Sequence, residues 1–283
     1  MVVIPATGHS FVAKQCAPYL ENGQIIILNP GRTGGTLEFR KVLIDMEVKK
    51  KIFLAETQTL IYASRTIGPA FSKIFRIKNK VPIASLPAYW IPDIISIIAP
   101  VFPQFIPADN VLKTSLDNIG AVFHPSIMLF NMSWIEKTEG EFEFYLDGIS
   151  KSLSYILEKV DEERIKVAES LGILTTSAKE WLYRTYGSWG DTLFEAIKST
   201  TAYKGIKAPE NINSRYIWED IPTSLVPIAS IGETFKVPTP IIKSIIDIAS
   251  IIHKKDYWKE GRTAEKLGLT GLSLKEILQM VTS

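Results

Sequence analysis

Apolar residues dominate three short blocks near the start of the chain, at residues 2–5 (VVIP), 24–28 (QIIIL, apolar after Gln24) and 52–55 (IFLA). Unbroken runs of this length suit strands buried on both faces. Between them, residues 10–20 and 36–48 carry apolar positions at helical spacing. The first predicted helix turns Phe11, Val12, Cys16 and Leu20 inward and closes at Asn22-Gly23. Strand, helix, strand, helix, strand predicts a parallel sheet covered on both sides, half of a doubly wound α/β arrangement.

From residue 60 the runs shorten. Residues 60–65, 72–77 (SKIFRI) and 81–86, the last after the Lys78-Asn79-Lys80 turn, read as strands that include a hairpin extending the sheet. Residues 92–101 predict a short helix, and the proline-rich run to Pro107 reads as an exit from the first domain. Past Asp109 the pattern is helical almost throughout. It predicts a long apolar helix over 116–134, an amphipathic one over 144–159, and a charged one capped by Asp161 and ending at Gly172. Ser177 with Glu180, and Ser273 with Glu276, fit capping boxes. Ile241, Ile245, Ile248 and Ile252 give residues 240–252 a packed helical face. The expected fold class is α/β followed by all-α: a partial doubly wound sheet over residues 1–108 and a helical domain over 109–283.

Composition narrows the function classes. With 46% hydrophobic residues in 283 there is ample material for a core, and 32 Lys+Arg against 30 Asp+Glu give a net charge of +2. No block of like charge exceeds Lys49-Lys50-Lys51, which argues against a nucleic-acid partner. The lone Cys16 allows no intrachain disulfide, which suits a reducing, cytoplasmic setting. Prolines at 82, 87, 92, 100, 103 and 107, with Asp93, interrupt the most apolar stretch, so no membrane span is expected. No signal peptide is expected either, since no basic region precedes the short apolar start. Cys and His show no metal-ligand spacing, and no metal is expected.

Two stretches carry candidate chemistry: FHPSIMLFN at 123–131 with His124, and SRYIWEDIP at 214–222 with Arg215 and Asp220. A His that meets an Asp is a candidate acid/base pair, and a neighbouring Arg is a natural clamp for a carboxylate. The plainer alternatives are a core histidine bonded to a carbonyl, and a surface ion pair from Arg215 to Glu219 or Asp220. Arg32 sits with Gly31, Gly34 and Gly35 in the loop after QIIIL, at the carboxyl end of a parallel sheet where such folds bind ligands; a tight turn explains the glycines equally. Glu56 and Thr57 close the third strand at the same edge, where Glu56 could hold a substrate amine or cap a helix. Asn118 is six residues before His124, off its face if one helix holds both, and is a candidate polar contact. Arg262 has no assigned role, and His9 and His253 read as peripheral.

Taken together, GQIIILNPGRTGG (23–35), TLIYASR (59–65), PQFIPADNVLKTSLDNIGAVFHP (103–125), FEFYLDGIS (142–150), RYIWEDIPTSLVPIASIGETFKVPTPII (215–242) and YWKEGRTAEKLGLTGLSL (257–274) resemble the opine dehydrogenase family, the octopine and nopaline dehydrogenases. The resemblance covers essentially the whole chain in order. It implies a Rossmann-like dinucleotide-binding domain followed by a 6-phosphogluconate-dehydrogenase-like helical domain, with the active site in the cleft between. It implies reductive condensation of an amino acid with a 2-oxo acid, using NADH or NADPH. The family pattern makes His124 and Asp220 the acid/base pair and Arg215 the carboxylate clamp. Arg32, Glu56 and Asn118 are then further candidate substrate contacts, and Gly31 and Gly34 candidates for the cofactor side. The alternatives are a 2-oxo acid reductase of the ketopantoate-reductase type, or a non-catalytic fragment or subunit.

The fragment or subunit alternative stays open because no G-x-G-x-x-G occurs in the sequence. Against the family pattern, Met1 stands at a fourth strand, and the three strands with the pyrophosphate turn and the acidic ribose partner are expected to be missing. With strand order 3-2-1-4-5-6, residues 2–5 would form a raw sheet edge. A homodimer contact, a partner chain or rearranged local structure is expected to cover it.

Overall fold

The computed structural model describes residues 1–283, the side chain of Arg65 apart. In chain order, the sheet-bearing part comprises α1 (His9–Cys16), β1 (Ile25–Leu28), α2 (Gly35–Asp45), β2 (Phe53–Thr57), β3 (Tyr62–Gly68), β4 (Phe71–Ile77), β5 (Val81–Leu86), α3 (Ile91–Ile98) and β6 (Phe105–Pro107). The four-stranded sheet has the order β1-β2-β5-β6. β1 and β2 pair in parallel, Ile25 opposite Phe53 and Leu28 opposite Glu56. β5 reverses against β2, and β6 returns parallel to β5. Ile27, Ala55 and Ile83 pack on one face against Ile94 of α3, while Ile26, Leu28, Leu54 and Ala84 belong to the larger core shared with the helices. Burial on both faces explains why these strands read as continuous apolar runs.

Three local expectations give way here. Residues 2–5 make a single parallel bridge rather than a strand. Val2 N–H donates to the Ile27 carbonyl at 2.7 Å and Asn29 N–H to the Val2 carbonyl at 2.9 Å, after which Pro5 turns the chain. The hairpin β3–β4 does not extend the main sheet but forms a two-stranded sheet of its own. Finally, α1 packs on α2 through the small side chain of Ala13 and through His9, both 0% exposed, whereas Phe11 is 65% exposed. Close approach between helices favours small residues on the contact face, and Phe11 lies off that line.

The remaining chain is α4 (Val111–Leu116), α5 (Ile119–Phe130), α6 (Met132–Thr138), α7 (Lys151–Ser170), α8 (Ala178–Tyr186), α9 (Leu193–Lys198), α10 (Arg215–Trp218), α11 (Val226–Thr234), α12 (Pro240–His253), α13 (Tyr257–Glu260) and α14 (Leu274–Thr282). The long helix expected over 116–134 is divided at Asp117-Asn118 and at Asn131. Asp117 leaves the helical path to accept the Thr176 N–H at 2.7 Å. α7 runs unbroken through Asp161, which pairs with Arg164 at 2.6 Å and accepts the Ala178 N–H at 2.7 Å, so it caps the start of α8 instead of its own helix. Glu163, also on α7, accepts the Ile241 and Ile242 N–H groups at 2.9 Å and caps α12. Both acids satisfy orphan donors of helices other than their own. Among the described residues no helix is long and apolar enough to cross a membrane, and no cluster of His, Cys, Asp and Glu could hold a metal ion.

Between α10 and α11 the backbone widens into a π-turn over Ile221–Leu225, with Val226 N–H donating to the Ile221 carbonyl. Pro227 follows and has no N–H to offer the carbonyls of Pro222 or Thr223. Those two acceptors are taken from outside: Arg262 N–H donates to Pro222 at 2.9 Å and Thr33 N–H to Thr223 at 3.1 Å. Arg262, 2% exposed, then spreads its guanidinium over the sheet-side loops. It donates to Glu38 at 2.8 Å, to the Gly31 carbonyl at 3.1 Å, to the Ala6 carbonyl at 2.7 Å and to His9 Nδ1 at 3.0 Å. Arg262 therefore has a structural role, and His9 is a buried residue, not a peripheral one.

Burial, then the charges of Arg262 and Arg32, push the pKa of His9 down to about 2. In the unfolded chain an ordinary histidine takes up its proton near pH 6.5, so the folded state loses stability as pH falls below that value, by about 1.4 kcal/mol per pH unit. Urea unfolding at pH 7.5 and 5.0 is expected to show the wild type losing about 2 kcal/mol more than His9→Gln over that interval. Equal losses would mean that His9 is protonated in the fold.

Candidate active site

α5 carries His124 and the turn entering the π-segment carries Asp220, and the two meet at 2.7 Å through Nδ1 and Oδ2. Asp220 is fully buried. The other ring nitrogen, Nε2, lies 3.0 Å from the hydroxyl of Tyr145, and the ring of Tyr216 stacks on the imidazole with centroids 4.0 Å apart. Burial lowers the pKa of His124 first; Asp220 opposes this, and Arg32 and Arg215 reinforce it, leaving the net shift downward. A neutral imidazole is then the resting form, donating Nδ1–H to Asp220 and leaving Nε2 as an acceptor.

A buried carboxylate needs a counter-charge, and Arg32 supplies it. Its Nη1 sits 3.0 Å from Asp220 Oδ1 and its Nε 3.3 Å from Glu219 Oε1. Burial alone would raise the pKa of Asp220, but Arg32, then His124 and Arg215, outweigh it and hold the carboxyl below its ordinary range. Arg32 itself adopts a left-handed backbone conformation (φ 58°), which aims its side chain across the loop. Gly120, at the start of α5, makes room: a Cβ there would stand 2.5 Å from Arg32 Nη1.

The structure brings some predicted residues together and excludes others. Asn118, at the N-terminus of α5, donates to Ser224 Oγ at 2.9 Å and to Thr33 Oγ1 at 3.3 Å, and it lines the same cavity as His124. Arg215 lines the cavity too; among the described residues no carboxylate pairs with it, because Glu219 and Asp220 are engaged by Arg32. Glu56 does not reach the cavity. Its carboxylate is sealed by Thr36 N–H and Oγ1, both at 2.9 Å, and by the hydroxyls of Thr114 and Ser115, both at 2.8 Å. It caps α2 and ties that helix to α4, and is not a substrate contact. Gly31 and Gly34 are not among the residues lining the cavity. A Cβ at Gly31 would meet Glu56 at 2.6 Å, and one at Gly34, which has φ +77°, would meet Leu267 at 2.7 Å. Their smallness serves internal packing.

The cavity, of about 270 Å³, opens at the carboxyl ends of β1 and β2 against α5 and α10. Several residues on its wall escaped sequence reasoning. Tyr145 lies in FEFYLDGIS, a stretch that carries the family resemblance but to which no site role is assigned. Glu219 looked like a surface acid, yet its Oε1 accepts the Ala6 N–H at 3.1 Å and its Oε2 is buried without a partner among the described residues. Lys78 read as part of a polar turn. Its Nζ is instead drawn inward to Thr59 Oγ1 at 3.0 Å and the Leu60 carbonyl at 2.6 Å, and burial, then the Arg32 charge, bring its pKa down to about 7. A neutral imidazole with a fixed tautomer, beside a guanidinium without a carboxylate partner, can move a proton next to a bound carboxylate.

Residues 107–253 match the family model described as NAD/NADP octopine/nopaline dehydrogenase, alpha-helical domain. The chain is similar to an opine dehydrogenase of Arthrobacter sp. (strain 1C), 40% identical over 281 residues, which covers 99% of this chain and 78% of that protein. Its fold resembles that of an octopine dehydrogenase solved with NADH and agmatine, with a TM-score of 0.79 at 19% identity over 98% of this chain and 76% of that one. A yersinopine dehydrogenase solved with NADP+ aligns with a TM-score of 0.71 at 14% identity, over 99% and 76%.

Arg32→Met leaves Glu219 and Asp220 buried without their counter-charge, and is expected to cost about 3–5 kcal/mol in urea unfolding. With the Arg32 charge gone, only burial and Arg215 oppose the pull of Asp220, so the pKa of His124 followed by imidazole NMR should rise. Unchanged stability together with an unchanged His124 titration would contradict this account of the site.

Proposed function

The chain belongs to the family of NAD/NADP octopine/nopaline dehydrogenases, and from that premise we propose that His124, Asp220 and Arg215 carry out the family's chemistry here. The protein is an NAD(P)-dependent oxidoreductase of the opine dehydrogenase type, joining an amino acid to a 2-oxo acid and reducing the C=N bond that forms. We read residues 1–108 as the dinucleotide-binding part and 109–283 as the catalytic part, a division supported by the helical match beginning at residue 107. The Nδ1 contact of His124 with Asp220, in a cavity shared with Arg215, is the observation that supports the assignment of roles most directly.

Arg215 takes the carboxylate of the 2-oxo acid in its planar fork and so orients the carbonyl carbon. His124 Nε2 takes a proton from the substrate ammonium, which frees the nitrogen lone pair to attack that carbon. The imidazolium is held by Asp220 and gives its proton to the carbonyl oxygen, forming a carbinolamine; a second proton, passed by Nε2 from the carbinolamine nitrogen to that hydroxyl, lets it depart as water and leaves the C=N bond. Asn29, Pro30, Gln58 and Thr59 line the cavity at the carboxyl ends of β1 and β2, where dinucleotide folds receive their ligands, and they fit the nicotinamide end of NAD or NADP. Bound there, the cofactor supplies the hydride that reduces the imine carbon. Tyr145 occupies the acceptor position of Nε2 and has to yield it to substrate. The exposed Val3 and Ile4 beside the β1 edge, 56% and 37% accessible, are in keeping with a second copy covering that edge.

His124→Ala is expected to lower the rate of NAD(P)H oxidation with amino acid plus 2-oxo acid at least about 100-fold. Arg215→Met is expected to raise the KM of the 2-oxo acid more than that of the amino acid. Mass analysis of the product separates the secondary amine expected here from the hydroxy acid that a simple 2-oxo acid reductase would make. Undiminished turnover by His124→Ala would overturn the role assigned to it.

A further inference from the structure

Two cationic groups on the cavity wall lack a carboxylate partner among the described residues: Arg215 and Lys78. Arg32 is saturated by Glu219 and Asp220 and has no charge to spare. Lys78 is 6% exposed, and burial without a counter-ion brings its pKa down to about 7, so an arriving carboxylate would favour its charged form. Its ammonium carries three N–H groups. Thr59 Oγ1 and the Leu60 carbonyl take two, and the third has no acceptor among the described residues. Lys78 also cannot withdraw easily, because its own N–H donates to the Ile61 carbonyl at 2.8 Å and fixes the turn between β4 and β5.

A second unused group on the same wall is Glu219. Glu219 lines the cavity, and its Oε2 is buried with no hydrogen-bond partner among the described residues, while Oε1 is occupied by Arg32 and the Ala6 N–H. Arg32 touches Glu219 directly, and its charge is among the influences on Lys78. The cavity wall thus offers one amine that gains its charge when a carboxylate arrives and one carboxylate oxygen without a donor. That pattern is complementary to the two ends of an amino-acid zwitterion.

We propose that Lys78 is the anchor for the α-carboxylate of the amino-acid substrate, with Glu219 Oε2 receiving its amino group, while Arg215 holds the carboxylate of the 2-oxo acid. This rests on the function proposed above and adds to it a site for the second substrate. The two cations then match the two α-carboxylates of the product, which are joined by one secondary amine. Preference for amino acids over the corresponding decarboxylated amines follows from Lys78.

The test is calorimetric titration with N-(1-carboxyethyl)glycine, a secondary amine flanked by two carboxylates, and with N-methylalanine, which keeps only the carboxylate on the 2-oxo-acid side. The wild type is expected to bind the dicarboxylate about tenfold more tightly or better, the usual effect of one charge-assisted hydrogen bond. In Lys78→Met the two affinities should converge, and in Lys78→Arg, which restores a cation, the preference should return in part. Thermal unfolding of both variants checks that the turn is intact. A wild type without the preference, or a folded Lys78→Met that keeps it, overturns the proposal. If the preference collapses in Lys78→Met but the wild type reduces no amino acid and 2-oxo acid pair, the anchor stands and the catalytic reading falls.

Discussion

The buried carboxylate of Asp220 is the constraint around which the site is arranged. A charge with no exposure is tolerated only beside a fixed counter-charge, and the loop after β1 provides one in Arg32. That requirement reaches in both directions. It obliges residue 32 to accept a left-handed backbone conformation and residue 120 to be glycine. It also means that Asp220 fixes the orientation of His124 without making it strongly basic, because part of its negative charge is already answered by the guanidinium. Burial favours the neutral ring of His124, and Arg32 reinforces it against the pull of Asp220, so an acceptor nitrogen is available.

The same junction is secured through the backbone. Pro227 deprives two carbonyls of intrahelical donors, and the chain answers with N–H groups from Thr33 on the sheet side and Arg262 near the far end. A π-turn places this irregularity directly after Asp220, as such turns often do near functional groups. Substitution of Pro227 by a residue with an N–H would let the helix close on itself and compete with Thr33 and Arg262. Sheet and helices are therefore one body held by interleaved donors, with the cavity at the seam.

Much of this was legible in the residues, for identifiable reasons. Buried strands such as QIIIL announce themselves because both faces are covered, and the Ser273–Glu276 capping box because its partners are local. His124 and Asp220 were legible only as motifs, since their 96-residue separation has no local signature. What escaped reading was set by packing at a distance. Glu56 stands at a strand end like a ligand-binding acid, but its four donors come from α2 and α4. Lys78 looked solvated within Lys78-Asn79-Lys80, and only the closure of the turn onto Ile61 draws its side chain inward. Phe11 looked like a core residue because apolarity alone does not reveal that α1 approaches α2 through alanine.

Arg262 has a consequence for how the molecule comes into being. Its guanidinium joins residues 224, 231 and 256 positions earlier in the chain, and the Arg32–Glu219 pair spans 187. At ribosomal speeds of about 5–20 residues per second, residue 262 follows residue 32 by something on the order of ten to fifty seconds. For that interval the loop around Arg32 has been made but lacks the groups that hold it, and the carbonyls it will share are bonded to water. The sheet and α2 can form from nearby contacts while the nascent chain is still growing. The cavity, by contrast, is assembled late, from contacts of very high sequence separation that close only after most of the chain has emerged.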